Sequence, residues 1–130
     1  MRIPFFKRKA KKQRYTIAFY NLENLFDPER NKNTLDRDYT PTGLKKWTVE
    51  RYRRKLSKLA KTITKIGEEK HPYPPVLIGV AEAENNSVLE ALLDTDPMED
   101  LDYDFIHFDS PDERGIDTGL IYRKKFFKVL

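Results

Sequence analysis

The feature that most constrains this chain is a pair of short apolar runs that each end abruptly in amide and carboxylate residues. Tyr15-Thr-Ile-Ala-Phe-Tyr20 runs into Asn21-Leu-Glu-Asn-Leu-Phe-Asp27-Pro28, and Val76-Leu-Ile-Gly-Val-Ala81 runs into Glu82-Ala-Glu84-Asn85-Asn86. Each run has the length of a strand. The first is β-branched and aromatic with apolar residues on both faces, which predicts burial on both sides. Each strand is thus expected to deliver polar side chains at its carboxyl end.

The stretch between the two runs predicts a loop and then a helix. Residues 28–46 are polar and aperiodic, with two prolines, one glycine and the turn chemistry of Thr40-Pro41-Thr42-Gly43. The helix begins near Thr48, a capping hydroxyl, with Glu50 favourable in the first turn. Val49, Tyr52, Leu56, Leu59, Ile63 and Ile66 recur at spacings of three and four, lining one face with core residues, and Gly67 is a natural stop. His71-Pro-Tyr-Pro-Pro75 forces an extended connection into the second strand. Strand, helix, strand in that order argues for neighbouring buried strands in one sheet.

A short helix is expected from Ser87, burying Val88, Leu89, Leu92 and Leu93, with Asp94 to Asp100 as an acidic exit. Tyr103–Phe108 reads as a third strand, Ser110–Gly115 as a turn and Ile116–Tyr122 as a fourth strand, a hairpin-like pair. Phe126–Leu130 begins a fifth apolar segment, inside which the sequence stops. An exposed apolar strand invites pairing with other chains, so a truncated domain or an obligate partner is expected.

A length of 130 residues suits one domain, and 8 Phe, 7 Tyr and 1 Trp are enough large side chains to build its core. The absence of cysteine excludes disulfides, thiolate zinc sites and cysteine nucleophiles. The net charge of +4 is uneven: residues 1–14 carry seven Lys or Arg and no acid, leaving 18 basic and 21 acidic residues, or −3, for residues 15–130. The basic tail reads as a solvated terminus or as an attractor for nucleic-acid phosphates or an anionic membrane. Ten Lys or Arg against three Glu between positions 45 and 70 leave the same two readings for the polar helix face. Ile3 to Phe6 is too short for a signal peptide or a membrane span, which makes a cytoplasmic protein the default expectation.

If the first two strands are parallel neighbours, Asn21 and Glu23 emerge beside Glu82 and Glu84 at the end where α/β folds place ligand crevices. A carboxylate with a carboxamide suits Mg²⁺, which keeps several waters and shares its shell with substrate phosphate. The same residues also read as ordinary loop polarity, because connections are polar by default. His71, ahead of a proline, and His107, between apolar neighbours, read as structural or surface residues. Arg114 and Asp117 flank the turn into the fourth strand, where they suit either a phosphate contact or a turn-stabilising ion pair.

These segments carry a family resemblance. Ile17-Ala-Phe-Tyr-Asn21-Leu-Glu-Asn24-Leu25 and Pro75-Val-Leu-Ile-Gly-Val-Ala-Glu82-Ala-Glu84-Asn85 resemble the first two motifs of the endonuclease/exonuclease/phosphatase superfamily. Gly115-Ile-Asp-Thr-Gly-Leu-Ile-Tyr-Arg123 is similar to its Gly-rich third motif, and Tyr103–Phe108 to the strand before it. The superfamily includes abasic-site endonucleases, pancreatic-type deoxyribonucleases, sphingomyelinases and inositol-polyphosphate phosphatases.

The resemblance implies an α/β fold for 15–130, the amino-terminal half of a four-layer, two-sheet sandwich with flanking helices. It implies Mg²⁺, or Mn²⁺ in its place, held by Glu82, with Asn21 at the metal and phosphate, and water attack on a phosphate ester, nucleic acid among the substrates. Glu23, Arg114 and Asp117 are secondary candidates for substrate binding. Ala81 stands where the family often has Gln, and no Gly-Asp-x-Asn or Ser-Asp-His motif occurs in the 130 residues. A non-catalytic nucleic-acid-binding module using the tail and basic helix is the competing expectation, and a structural subunit pairing through an open strand edge is a third.

Overall fold

The computed structural model describes residues 13–28, 49–109, 111 and 117–130. The basic tail up to Lys12, nearly all of the loop expected at 28–46, the capping Thr48 and most of the turn expected at 110–115, with Arg114, fall outside them.

The elements in chain order are β1 (Ile17–Leu25), α1 (Val49–Thr64), β2 (Leu77–Ala83), α2 (Asn86–Leu93), a 3-10 turn (Met98–Asp100), β3 (Tyr103–Phe108) and β4 (Asp117–Arg123). They form one mixed sheet in the order β1-β2-β4-β3. β1 and β2 are neighbours, as the strand, helix, strand order predicts, and they pair in parallel, while β2/β4 and β3/β4 are antiparallel.

The core lies on one face of this sheet. Ala18, Leu22, Leu25, Ile78, Val80, Ala83 and Ile121 pack in a single cluster with Leu56, Leu59, Ala60 and Ile63 of α1 and Val88, Leu89 and Leu92 of α2. Each fully buried aliphatic side chain contributes about 2 kcal/mol, which is what fixes the amphipathic helices on the sheet. On the opposite face β1 is open: Ile17 is 60% and Phe19 84% exposed. β1 is therefore buried on one side only, contrary to the expectation from its two apolar faces, and the expected second sheet of a sandwich is not among the described elements.

Boundaries shift for identifiable reasons. α2 starts at Asn86 because the Asn85 side chain caps it, accepting from the Val88 N–H at 3.1 Å. α1 ends at Thr64, and turns continue through Gly67 to Lys70, the φ of +77° at Gly67 being a left-handed conformation that suits glycine. The apolar segment at Phe126–Leu130 is a turn and coil, with Phe126 edge-on to Tyr15 at 5.4 Å between centroids, and not a fifth strand.

Candidate metal centre at the tips of the first two strands

The site is made by two adjacent irregularities in the sheet. β1 and β2 pair regularly from Ile17↔Leu77 to Asn21↔Ala81 and then resume at Leu25↔Ala83, so β1 advances four residues while β2 advances two. Glu23 and Asn24 take up the excess in left-handed conformations, φ 53° and 56°. On the other side, Val80↔Gly119 and Ala83↔Asp117 give β2 three steps to β4's two, and here Glu82 is left-handed at φ 64°. Bulges of this kind re-aim side chains and cost strain, which is why they concentrate at ligand sites.

One hydrogen bond within β1 and two between the tips hold this geometry. Asn21 Oδ1 accepts from the Glu23 N–H at 2.7 Å, Glu82 Oε2 from the Asn24 N–H at 3.1 Å and Glu84 Oε2 from the Asp27 N–H at 3.0 Å. Asn21 and Glu23 are exposed, Glu82 is half-buried and Glu84 is buried. Of the four residues expected to converge, Asn21 and Glu23 lie within β1, Glu82 lies within β2 and Glu84 is one residue past its end, and the hydrogen bonds join the two strand tips. Glu84 faces inward and secures the chain at Asp27.

A hard cation fits this donor set. One Glu82 oxygen is taken by Asn24, leaving the other, and the buried Asn24 Oδ1 has no hydrogen-bond partner. An orphaned buried carbonyl oxygen costs about 1–3 kcal/mol unless a ligand or water meets it. Oxygen-only donors from an amide and carboxylates are the chemistry Mg²⁺ and Mn²⁺ take.

Helix α1 brings two further groups. Lys55 Nζ donates to the Glu23 carbonyl oxygen. Burial pulls the Lys55 ammonium below its usual range, and the Glu23 and Glu82 carboxylates push against that. One turn earlier, burial raises the Tyr52 phenol well above its usual range, with the negative charges of Asp27 and Glu84 adding to the effect. The helical spacing assigns Tyr52 to the core face and leaves Lys55 among the solvated cations. Tyr52 does pack against the core cluster, whereas Lys55 is half-buried at the Glu23 carbonyl and not solvated, and the spacing of three between them puts them on one side of the helix.

Asp117 is buried at 6% exposure, opposite Ala83 in register. His107 Nε2 lies 2.6 Å from Asp117 Oδ2, without an aligned hydrogen bond, and His107 Nδ1 lies 3.7 Å from Asp109. The donor atoms of these three lie within 4.8 Å of one another, as do those of the exposed Asp96, Glu99 and Asp100. His107 thus faces carboxylates and not only the apolar neighbours its sequence context shows. Arg114, the other candidate at this turn, lies outside the described residues.

A mixed α/β sheet with oxygen donors at the adjoining tips of two parallel strands has its polar groups at the carboxyl ends of strands, where open α/β sheets bind ligands. The chain belongs to the Endonuclease/Exonuclease/phosphatase family, whose sequence pattern matches residues 16–130. That family is one of nuclease- and phosphatase-type hydrolases that generally use divalent metals. No curated protein and no solved structure matches the chain. No helix among the described residues is long and apolar enough to cross a membrane.

Proposed function

We propose that this chain carries the metal and phosphate subsite of a Mg²⁺-dependent phosphoesterase of nuclease type, with Mn²⁺ able to replace Mg²⁺. The observation that carries the reading is the hydrogen bond from the Asn24 N–H to Glu82, which turns the carboxylate of one strand toward the tip of the next. Glu82 and the Asn24 side-chain oxygen would hold the ion, Asn21 would orient a phosphate oxygen and the exposed Glu23 would support the ion from outside. A bound divalent cation supplies charge neutralisation at the phosphate during in-line attack by water.

Asp117 has a different role in this reading from substrate contact, because it is buried against His107. Arg114 remains a phosphate-contact candidate. The Asp and His that the resemblance assigns to water activation would come from motifs that these 130 residues do not contain. The expected behaviour of the 130-residue chain is accordingly cation and phosphate binding with little turnover.

Electron paramagnetic resonance titration with Mn²⁺ tests this. The chain should bind the ion saturably, Mg²⁺ should compete, and Glu82→Gln should weaken binding at least about tenfold, the scale of losing one charged ligand. Equal binding by Glu82→Gln would overturn the reading. Salt-sensitive binding of DNA that is indifferent to Glu82→Gln would support the non-catalytic nucleic-acid module instead.

A further inference from the structure

We propose that Lys55 is a built-in counter-cation of the metal centre: a positioning residue that weakens the hold on a divalent ion and leaves the loaded site positively charged for phosphate. This rests on the reading of the site given above and adds to it a residue from outside the strand motifs.

The placement of Lys55 is unlike that of the other cations of α1. Arg53, Arg54, Lys58 and Lys61 are exposed, whereas Lys55 is half-buried. Its ammonium bonds to the carbonyl oxygen of Glu23, at the point where β1 leaves its regular pairing with β2. It interacts electrostatically with both Glu23 and Glu82. On its side of the helix the neighbouring positions are Tyr52 and Leu59. Partial burial of an ammonium is costly, so an apolar side chain at this position would favour stability alone.

The charge count gives the arrangement a purpose. Glu23 and Glu82 carry two negative charges, and Lys55 reduces the sum to one. A divalent ion then leaves the site with one net positive charge, the complement of a phosphodiester monoanion. Without Lys55 the same ion would be held more tightly and the loaded pair of carboxylates would be neutral, with no residual attraction for the substrate. Two cations flanking one phosphate also provide two directions of charge stabilisation where a lone ion provides one. The inferred ligand is thus a singly charged phosphate ester, bound between the metal position and the Lys55 ammonium.

Three substitutions in the 130-residue chain separate charge from tethering. Lys55→Met keeps the stem and loses both the charge and the bond. Lys55→Gln loses the charge but keeps a donor for the Glu23 carbonyl. Lys55→Arg keeps both. Mn²⁺ affinity is read by electron paramagnetic resonance, and binding of dimethyl phosphate to the Mn²⁺-loaded protein by ³¹P relaxation. Lys55→Met and Lys55→Gln should each bind Mn²⁺ roughly tenfold more tightly, the scale of a nearby charge in a partly screened site. Both should bind dimethyl phosphate several-fold more weakly, and Lys55→Arg should resemble the parent in both respects.

A merely structural Lys55 predicts the opposite sign for the metal, since a loosened Glu23–Asn24 turn would weaken it. Equal or weaker Mn²⁺ binding by Lys55→Gln, in a protein whose circular dichroism matches the parent, would therefore overturn the proposal while leaving the metal centre standing. Failure of the parent chain to bind Mn²⁺, or its indifference to Glu82→Gln, would remove the metal centre itself and the role of Lys55 with it.

Discussion

The Asn24 backbone N–H donates to Glu82 Oε2 at 3.1 Å, and both residues are left-handed, with φ of 56° and 64°. The aim of the Glu82 carboxylate is therefore set by the backbone of the neighbouring strand, and the backbone conformation that permits it is one that most side chains resist. Asn tolerates this region better than β-branched residues, and glycine tolerates it best.

Two substitutions at Asn24 separate its conformation from its side-chain oxygen. Asn24→Val should destabilise the fold by roughly 1–3 kcal/mol in urea denaturation, because a β-branched residue is strained at positive φ. Asn24→Gly should change stability by less than about 1 kcal/mol, yet weaken Mn²⁺ binding by removing a buried oxygen donor. Unchanged metal affinity in Asn24→Gly would exclude its side chain from the centre.

The two carboxylates at the tip of β2 should respond in opposite ways. Glu84 is buried and accepts from the Asp27 N–H, so Glu84→Ala leaves that donor orphaned and should cost about 2–3 kcal/mol in the same denaturation assay. Glu82→Gln retains an acceptor for Asn24 and should alter stability little while losing the metal. A larger stability loss from Glu82→Gln than from Glu84→Ala would reverse the assigned roles.

Two glycines of adjoining strands provide a packing test. A Cβ at Gly119 would lie 3.0 Å from Leu89 Cδ1, 3.2 Å from Val80 Cγ2 and 3.3 Å from the Ile106 carbonyl oxygen, all on the core side. Gly119→Ala should therefore cost about 1–3 kcal/mol by overpacking. A Cβ at Gly79 would lie 2.7 Å from Phe19 Cδ1, but that ring is exposed and can swing aside. Gly79→Ala should cost less than Gly119→Ala, and chemical denaturation of the two variants side by side checks the order.

Tyr103 makes stability sensitive to high pH. Its hydroxyl donates to the Pro75 carbonyl oxygen at 2.5 Å. Burial, against the opposing Arg123 charge and with help from Asp102, pushes its phenol from 10.0 up to about 12. The folded value exceeds the unfolded one, so its contribution is complete below pH 10 and is lost as pH rises through about 12. Tyr103→Phe should cost roughly 1–2 kcal/mol at pH 7 and show a shallower decline in urea midpoint above pH 10 than the parent.

Much of this arrangement is legible in the sequence because it depends on local pattern. The spacing of Leu56, Leu59 and Ile63 specifies the buried face of α1, and the two apolar runs with a helix between them specify neighbouring strands. Asn21 and Glu82 stand out as candidates in the sequence because strand ends in α/β sheets are where ligands bind. What the pattern does not contain is the pair of bulges, since left-handed Glu23, Asn24 and Glu82 carry no glycine to announce them. Without the bulges, strand alternation gives no reason to single out Asn24. Lys55 is missed for a related reason: one cation among many on a helix is distinguished only by what lies across from it, here the Glu23 carbonyl. Phe19 shows the converse error, an apolar strand residue that reads as buried and is 84% exposed.

The sharing of one divalent ion by the tips of β1 and β2 is tested most directly by paramagnetic broadening of backbone amide signals with substoichiometric Mn²⁺, which locates the ion. Broadening should centre on residues 21–24 and 82–84, reach Lys55 and disappear in Glu82→Gln. Broadening centred instead on His107, Asp109 and Asp117, or on Asp96, Glu99 and Asp100, the two other groupings of potential ligands among the described residues, would contradict a shared ion at the strand tips.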